Sequence, residues 1–580
     1  METWESALSS RNDLDVYGSN RIGLFAIGLH FEVDDLVSVA ADAITDGNDD
    51  KKCDLIYIDR DEGAAVVAQC YFSSSAKSSA PANKASDLNT AVGWLLQSPI
   101  SSLPEGIRPA ATDLRQALTD GVISELHIWY VHNLPESKNV KAELAVVEAT
   151  AKAALERNFS AVSGLRVSAR EVGATTLADW YNDSLSPILV NDAFTLPVQD
   201  AFRVDCGDWN ALMTTIPASF LHRIYRRYRT KLFSANVRDY LGSRRSDQNI
   251  NHGIKQTAES APDNFWVFNN GLTILVNDFG YNEKKGMLTI NGLSIVNGAQ
   301  TTGAIGSLKK APTPAARVPV RLIKTSNRDV VYDIIRYNNS QNKITAPDFR
   351  STDRIQKRLK EEMTKIPKAE YEGGRRGGHE DLIRRRANLL PSYTVGQALA
   401  AVHGDAVIAY NQKSDIWIID TLYARYFNED TTAAHIVFCY SLLRAVEERK
   451  SELVQKSKDK PGALTTSEQK QLEFLRHRGS TYLFATAIAG CLETVMKRKI
   501  SSVFRVSFGS MNPFAAQSHW RDLVLTTAPL CVHLDDAFTD GLKNADRVRK
   551  AVQTFQSLVE VTAAANEKSY RDFSSKVQVR

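Results

Sequence analysis

Within the first 165 residues the order of local patterns is helix, strand, turn, strand, helix, strand, helix, and few folds accept that order. Residues 23–45 carry apolar side chains at helical spacing. Residues 54–59 (DLIYID) and 65–72 (AVVAQCYF) are short and rich in β-formers, with Asp61-Glu62-Gly63 between them, a strand–turn–strand pattern. A Ser/Ala/Lys-rich loop spans 73–86. Helices are expected at about 87–97 and 111–119. A strand follows at 125–131 (ELHIWYV), then a helix to about 157. Together these make one compact α/β domain over residues 1–165.

The rest of the 580-residue chain divides by pattern. At roughly 100–200 residues per domain, about three or four domains are expected. Residues 166–230 read as a connecting segment of strands and loops that ends in a helix opened by Pro217. Residues 231–410 form a core domain. Its β-rich segments are 265–277, 286–297 and 317–323, and its helices are 299–309, 328–338 and 353–366. Residues 411–580 are almost wholly helical, at 431–456, 466–478, 480–499 and 543–567. The fold class is therefore multidomain α/β followed by an α region. Apolar residues make up 43% and charged residues 24%, so each part can bury a core.

Several classes of protein are disfavoured. The six cysteines (Cys53, Cys70, Cys206, Cys439, Cys491, Cys531) are scattered without a CxxC pair, against a zinc site or a disulfide framework. The opening METWESALSSRNDLD is acidic and polar, unlike a signal peptide. No apolar run approaches the roughly 20 residues of a membrane helix. A cytoplasmic protein with no membrane partner is the expectation. The net charge of +4 leaves a nucleic-acid partner open, so charge distribution must decide.

Metal-assisted phosphodiester chemistry needs carboxylates or carbonyls to hold Mg²⁺ and a positive group beside the phosphate. Nucleases of the restriction-endonuclease type place an acidic residue at the start of one strand and an (E/Q)-x-K motif on the next. Asp54 opens the first strand and Gln69 lies on the second, and both are the candidate metal ligands. Glu32 lies on the preceding helix. Tyr71, two residues beyond Gln69 and on the same strand face, occupies the lysine position. Lys77 and Lys84 are the nearest downstream replacements, and Lys84 completes the candidate catalytic set. Asp54 as a turn cap and Gln69 as a surface residue is the plain structural alternative.

Two Asn-Gly loops mark the centre of the chain. One carries Asn269 and Asn270, and the other carries Asn297, Gly298, Gln300, Thr301 and Thr302 at a strand-to-helix junction. Such a junction presents free amides to an anion, so a nucleotide or nucleic-acid phosphate is a natural ligand. A capped junction needs no ligand at all. A third polar cluster contains Asn339, Gln341 and Arg350. Basic residues gather at Arg223, Arg226, Arg227, Arg229 and Arg238, interleaved with tyrosines, as a phosphate-backbone footprint or a solvated helix face.

These residues resemble the AIPR family, the abortive-infection phage-resistance proteins. The carrying segments are LFSANVRDYLG at 232–242, FWVFNNGLTI at 265–274, IVNGAQTTGAI at 295–305 and NNSQNKITAPDFRSTD at 338–353. The resemblance implies a restriction-endonuclease-like N-terminal domain. In it, DAITDGNDDKKCDLIYID at 42–59 corresponds to the first acidic motif and QCYF at 69–72 stands where Gln-x-Lys is usual. It also implies a bacterial anti-phage role, and with the basic clusters a DNA or RNA partner is expected. The expected function is nucleic-acid binding with a degenerate nuclease domain. The alternatives are an active Mg²⁺-dependent nuclease with a displaced lysine, or a nucleotide-sensing assembly module. A defence role also allows a partner encoded in the same operon. The stripe Val548, Val552, Phe555 and Val559 suits either an internal core or a homo-oligomer through the C-terminal helices.

Overall fold

In the computed structural model the apolar stretch at 23–45 is broken in two. Helix α1 (Arg21–Phe31) ends before a short connection, and α2 (Leu36–Ala43) starts anew where the Asp35 carboxylate accepts the Ser38 amide at 3.2 Å. The structure describes residues 3–579 except 32, 34, 46, 48, 62, 160–164, 186–189, 229–231, 233–253, 328–329, 332, 335–349, 351–352, 374–385 and 461, and except the side chains of 182–185, 191 and 300. The chain forms two compact units, Met1–Leu177 with Thr345–Arg580, and Ala178–Ile344. The expected segments 1–165 and 411–580 thus fall within the same unit.

The N-terminal part of the first unit is a four-stranded sheet in the order β1 (Leu55–Asp59), β2 (Ala64–Tyr71), β3 (Glu125–His132), β4 (Arg166–Val172). The first pair is antiparallel and the next two are parallel. The hairpin follows the predicted strand–turn–strand to within a residue or two. α1 covers one face. It comes so close at Gly23 that a Cβ would lie 2.4 Å from Leu55 and 2.5 Å from Cys70 Sγ. On the other face α3 (Ala82–Leu96), α4 (Arg108–Thr119) and α5 (Lys138–Asn158) bury Ile56, Val67, Ile128 and Tyr130. α3 begins earlier than expected, at residue 82. Helix α6 (Ala174–Leu185) lies where strands and loops were expected. Leu177, Trp180 and Tyr181 are buried at i, i+3, i+4 spacing, the helical period that a reading weighted toward β-formers passed over.

The second unit holds a sheet of seven strands. Its main path runs β5 (Val190–Pro197), β10 (Met287–Asn297), β8 (Leu272–Leu275), β11 (Arg317–Thr325), β7 (Trp209–Pro217), β6 (Ala201–Cys206), with β9 (Asp278–Asn282) paired beside β10. Helices α7 (Ala218–Tyr228) and α9 (Ala299–Gly306) cover it around Leu212, Ile274, Ile295 and Leu322. Residues 265–268, expected as strand, form the helical turn α8 (Phe265–Phe268). Only Phe265 of that turn is buried, and Trp266, Val267 and Phe268 are exposed, so no sheet face is there to hold them. The helix expected at 328–338 lies largely outside the described residues.

The remainder of the first unit is mainly helical, built around α10 (Arg354–Met363), α11 (Ser392–Val402), α12 (Ala433–Asp459), α13 (Thr466–Leu475), α14 (Ser480–Gly490), α15 (Pro513–Thr527) and α16 (Ala545–Val561), with one short strand pair, Val506–Ser507 against Gln578–Val579. The stripe of Val548, Phe555 and Val559 on α16 is buried in this unit's own core. Charged groups tie the helices to the sheet part. Arg444 on α12 pairs with Asp35 and, at 2.6 Å, with Glu447, and Ser38 donates to Glu447 at 2.7 Å. Lys450 meets Asp42 at 3.2 Å, and Arg478 donates to the Ile56 carbonyl at 2.6 Å. Among the described residues no helix is long and apolar enough to cross a membrane.

Candidate functional site

The end of the β1–β2 hairpin gathers the N-terminal candidates. The Asp54 amide donates to the Ala68 carbonyl at 2.9 Å, continuing the ladder one step before β1, so Asp54 stands across from Gln69. Its Oδ2 accepts the Cys70 amide at 2.6 Å. Alternation places Gln69 and Tyr71 on the face that carries Ala65 and Val67, beneath α3. Gln69 is only 4% exposed, and its Oε1 has no hydrogen-bond partner. A buried amide oxygen costs about 1–3 kcal/mol unless a water or an ion meets it; Asn89 Oδ1 on α3 is in the same condition, so Gln69 is singled out by its place across from Asp54.

Lys77, from the loop after β2, donates to the Tyr71 hydroxyl at 3.0 Å. Lys84, in the first turn of α3, places Nζ 5.6 Å from the Tyr71 ring centre. The hydrogen bond from Lys77 holds the Tyr71 phenol below its ordinary pKa, while burial pushes the neighbouring Tyr130 up. Both candidate cations therefore stand beside Tyr71. Glu32 lies outside the described residues.

Parallel pairing extends this face beyond what the motif foretold. Gln69 aligns with Tyr130, Tyr130 with Glu171, and Tyr71 with His132. Tyr130 is fully buried and its hydroxyl has no partner. His132, also fully buried, lies 3.1 Å from Glu171, which further accepts the Ser137 amide. The alternation in HIWYVH could have put Tyr130 and His132 on one face. Their alignment with Gln69 needed the parallel register, which local pattern does not contain.

Mg²⁺ commonly takes one or two carboxylates and keeps several waters. Among the described residues no group of three or more His, Cys, Asp or Glu side chains could hold a metal. Asp54 with the unpartnered Gln69 oxygen is nevertheless a donor set of the kind a hard cation accepts, and these two residues would hold it. Bound there, the ion would polarise a phosphate and acidify a water.

In the second unit the two Asn-Gly loops meet at one end of the sheet. Asn269 donates to Thr301 Oγ1 at 3.0 Å, and its own Oδ1 accepts the Gly271 amide at 2.9 Å. Gly298 caps α9 with φ at 98°, a left-handed conformation suited to glycine, and no side chain caps the helix. Thr302 is buried and bonds back to the Gly298 carbonyl at 3.0 Å. Asn270 and Asn297 are exposed, as are Arg226 and Arg227 on α7, the latter 3.5 Å from Asp192. The Gln300 side chain, Arg238, Asn339 and Gln341 lie outside the described residues.

Arg350 belongs to the first unit and is engaged there. It donates to the Trp417 carbonyl at 2.9 Å, pairs with Asp420 at 2.5 Å and stacks 4.3 Å above the Tyr423 ring. Its place in the fold accounts for it without a phosphate.

Residues 233–389 match the family model described as AIPR protein. No curated protein and no solved structure matches the chain. The AIPR segment takes in both Asn-Gly loops, β8 to β11 and α10. The β1–β2 hairpin and its candidate site lie outside it.

Proposed function

We propose that this chain is an AIPR-type phage-defence protein whose N-terminal sheet carries a Mg²⁺-dependent nuclease site. The observation that carries the reading is the buried, unpartnered Gln69 oxygen across from Asp54, with Lys77 and Lys84 both brought to Tyr71. The defence role rests on the AIPR match in the centre of the chain. There the joined Asn-Gly loops and the exposed Arg226 and Arg227 favour a nucleic-acid phosphate backbone.

The reading implies an assignment of roles. Asp54 and Gln69 hold the cation, and Tyr71 with its lysines faces the phosphate charge. The test is cleavage of plasmid, linear and single-stranded DNA and of RNA with Mg²⁺ or Mn²⁺, comparing wild type with Asp54→Ala. Cleavage by the wild type that falls roughly 100-fold or more in Asp54→Ala is expected. Equal cleavage by both proteins would end the reading. Retained nucleic-acid binding with no cleavage of any substrate would return the domain to a degenerate nuclease fold.

A further inference from the structure

Tyr71 cannot supply the positive charge of the lysine it replaces, since a phenol is neutral near pH 7. The groups around it can. An ammonium has three donors and no acceptor, so in the 3.0 Å contact Lys77 donates and the Tyr71 oxygen accepts. The phenol's own O–H has the Ser73 hydroxyl beside it, from which it can turn to a ligand, and it is polarised by a cation on its oxygen. Tyr71 is half-buried and Lys77 exposed, so this donor stands at the rim of the site, where a polymer can reach it.

Lys51 and Lys52, from the loop before β1, have carboxylates beside them, Asp49 at 2.6 Å and Asp87 at 3.7 Å. Neither Lys77 nor Lys84 makes an ion pair among the described residues. Two uncompensated cations flank one phenol on the sheet face that bears Gln69. That arrangement is complementary to an anion arriving at Tyr71.

We propose that Tyr71 is a catalytic residue that hydrogen-bonds a non-bridging oxygen of the scissile phosphodiester, with Lys77 as its positioning residue and Lys84 as an accompanying charge. The inference rests on the nuclease reading and divides the work of the missing lysine between a donor and two cations. No proton need change hands, because Tyr71 and Lys77 act by stabilising charge as it accumulates on the phosphate.

The test uses the full chain and the variants Tyr71→Phe, Lys77→Met, Lys84→Met, Tyr71→Lys and Asp54→Ala. Cleavage is read in Mg²⁺, and affinity for a phosphorothioate oligonucleotide is read in Ca²⁺. Tyr71→Phe and Lys77→Met should each lower kcat roughly 100-fold with little change in KM, and the double variant should be no worse than either. Lys84→Met should have the smaller effect. Tyr71→Lys should restore cleavage to the Lys77→Met protein, a rescue that a merely structural lysine would not permit. Wild-type cleavage by Tyr71→Phe or Lys77→Met, with Asp54→Ala inactive, overturns the assignment and leaves the nuclease reading standing. Full cleavage by Asp54→Ala overturns both. If the wild type cuts nothing, the nuclease reading and this assignment fall together. Oligonucleotide affinity in Ca²⁺ should change little in any of these variants, and a loss of affinity in Tyr71→Phe as large as its loss of kcat would make Tyr71 a binding residue and overturn the catalytic assignment.

Discussion

Two polar regions of the first unit are equally well buried and differ in how their charges and dipoles are met. Around α2 and α12, charges close on one another: Asp35 takes Arg444 and the Thr394 hydroxyl, Glu447 takes Arg444 and Ser38, and Lys450 takes Asp42. Beside His435 the same closure occurs with neutral groups. His435 Nδ1 donates to the Val506 carbonyl at 2.9 Å, so its Nε2 accepts, with His403 Nε2 at 3.0 Å and Cys439 Sγ at 3.3 Å as donors. At the hairpin, by contrast, Gln69 Oε1 and Tyr130 OH face the same side of the sheet without partners. Burial of polar groups therefore does not by itself mark a site. What separates the two regions is that the charges of the first are met inside the chain, with the Arg444 Nε–H left over, whereas the two unpartnered groups at the hairpin share one sheet face.

The largest consequence lies in the closed region. Arg444→Met leaves Asp35 and Glu447 buried without their cation, and a broken buried pair costs about 3–5 kcal/mol. Urea denaturation should show a loss of that size. The triple variant Arg444→Met, Asp35→Asn, Glu447→Gln should recover part of it by removing the stranded charges. A loss below about 1 kcal/mol for the single variant would mean that these residues are not a closed cluster.

The histidine pair makes a pH-dependent version of the same claim. Burial holds His435 down to about 4, and burial together with the neighbouring ring holds His403 to about 3. The unfolded chain takes up these protons near pH 6.5, where the native chain does not. Stability should thus be fully present above about 6.5 and fall as the pH drops toward 4, by roughly 2–3 kcal/mol for His435. Denaturation curves across that window check it. His435→Gln should flatten the slope, and an unchanged slope would show that the protons bind elsewhere.

Sequence patterns reach the open region only in part. Alternation along AVVAQCYF already put Gln69 and Tyr71 on one face, and the Asp61-Glu62-Gly63 turn set Asp54 close to Gln69. Both inferences use contacts fewer than twenty residues apart. The Tyr130 and Glu171 alignments depend on parallel pairing across helical crossovers, and no local period encodes that register. Lys77 is in a loop, where periodicity says nothing about direction. The joining of the N-terminal sheet to the C-terminal helices is remoter still, since Asp35 and Arg444 are separated by 409 positions. Arg350 lies in a polar run that the sequence leaves open as an internal network or as ligand contacts, and its guanidinium meets Trp417, Asp420 and Tyr423.

The smallest effect is the sharpest test of the contrast, because its sign is what matters. If Gln69 is retained for a ligand, its amide is a burden on the free protein. Methionine has a similar reach and no polar atom, and it would rest among Ala65, Val67 and the α3 side chains at little steric cost. Removing an unpaired buried oxygen then stabilises, so Gln69→Met should raise stability by up to about 1 kcal/mol. The same substitution should abolish cleavage and any thermal shift on adding Mg²⁺. A gain in stability with a loss of cation response is the pattern of a residue kept for function at the expense of the fold. Should Gln69→Met instead destabilise by more than about 1 kcal/mol, the amide would be a structural member like Asp35, and the distinction between open and closed regions would fail where the nuclease reading depends on it most.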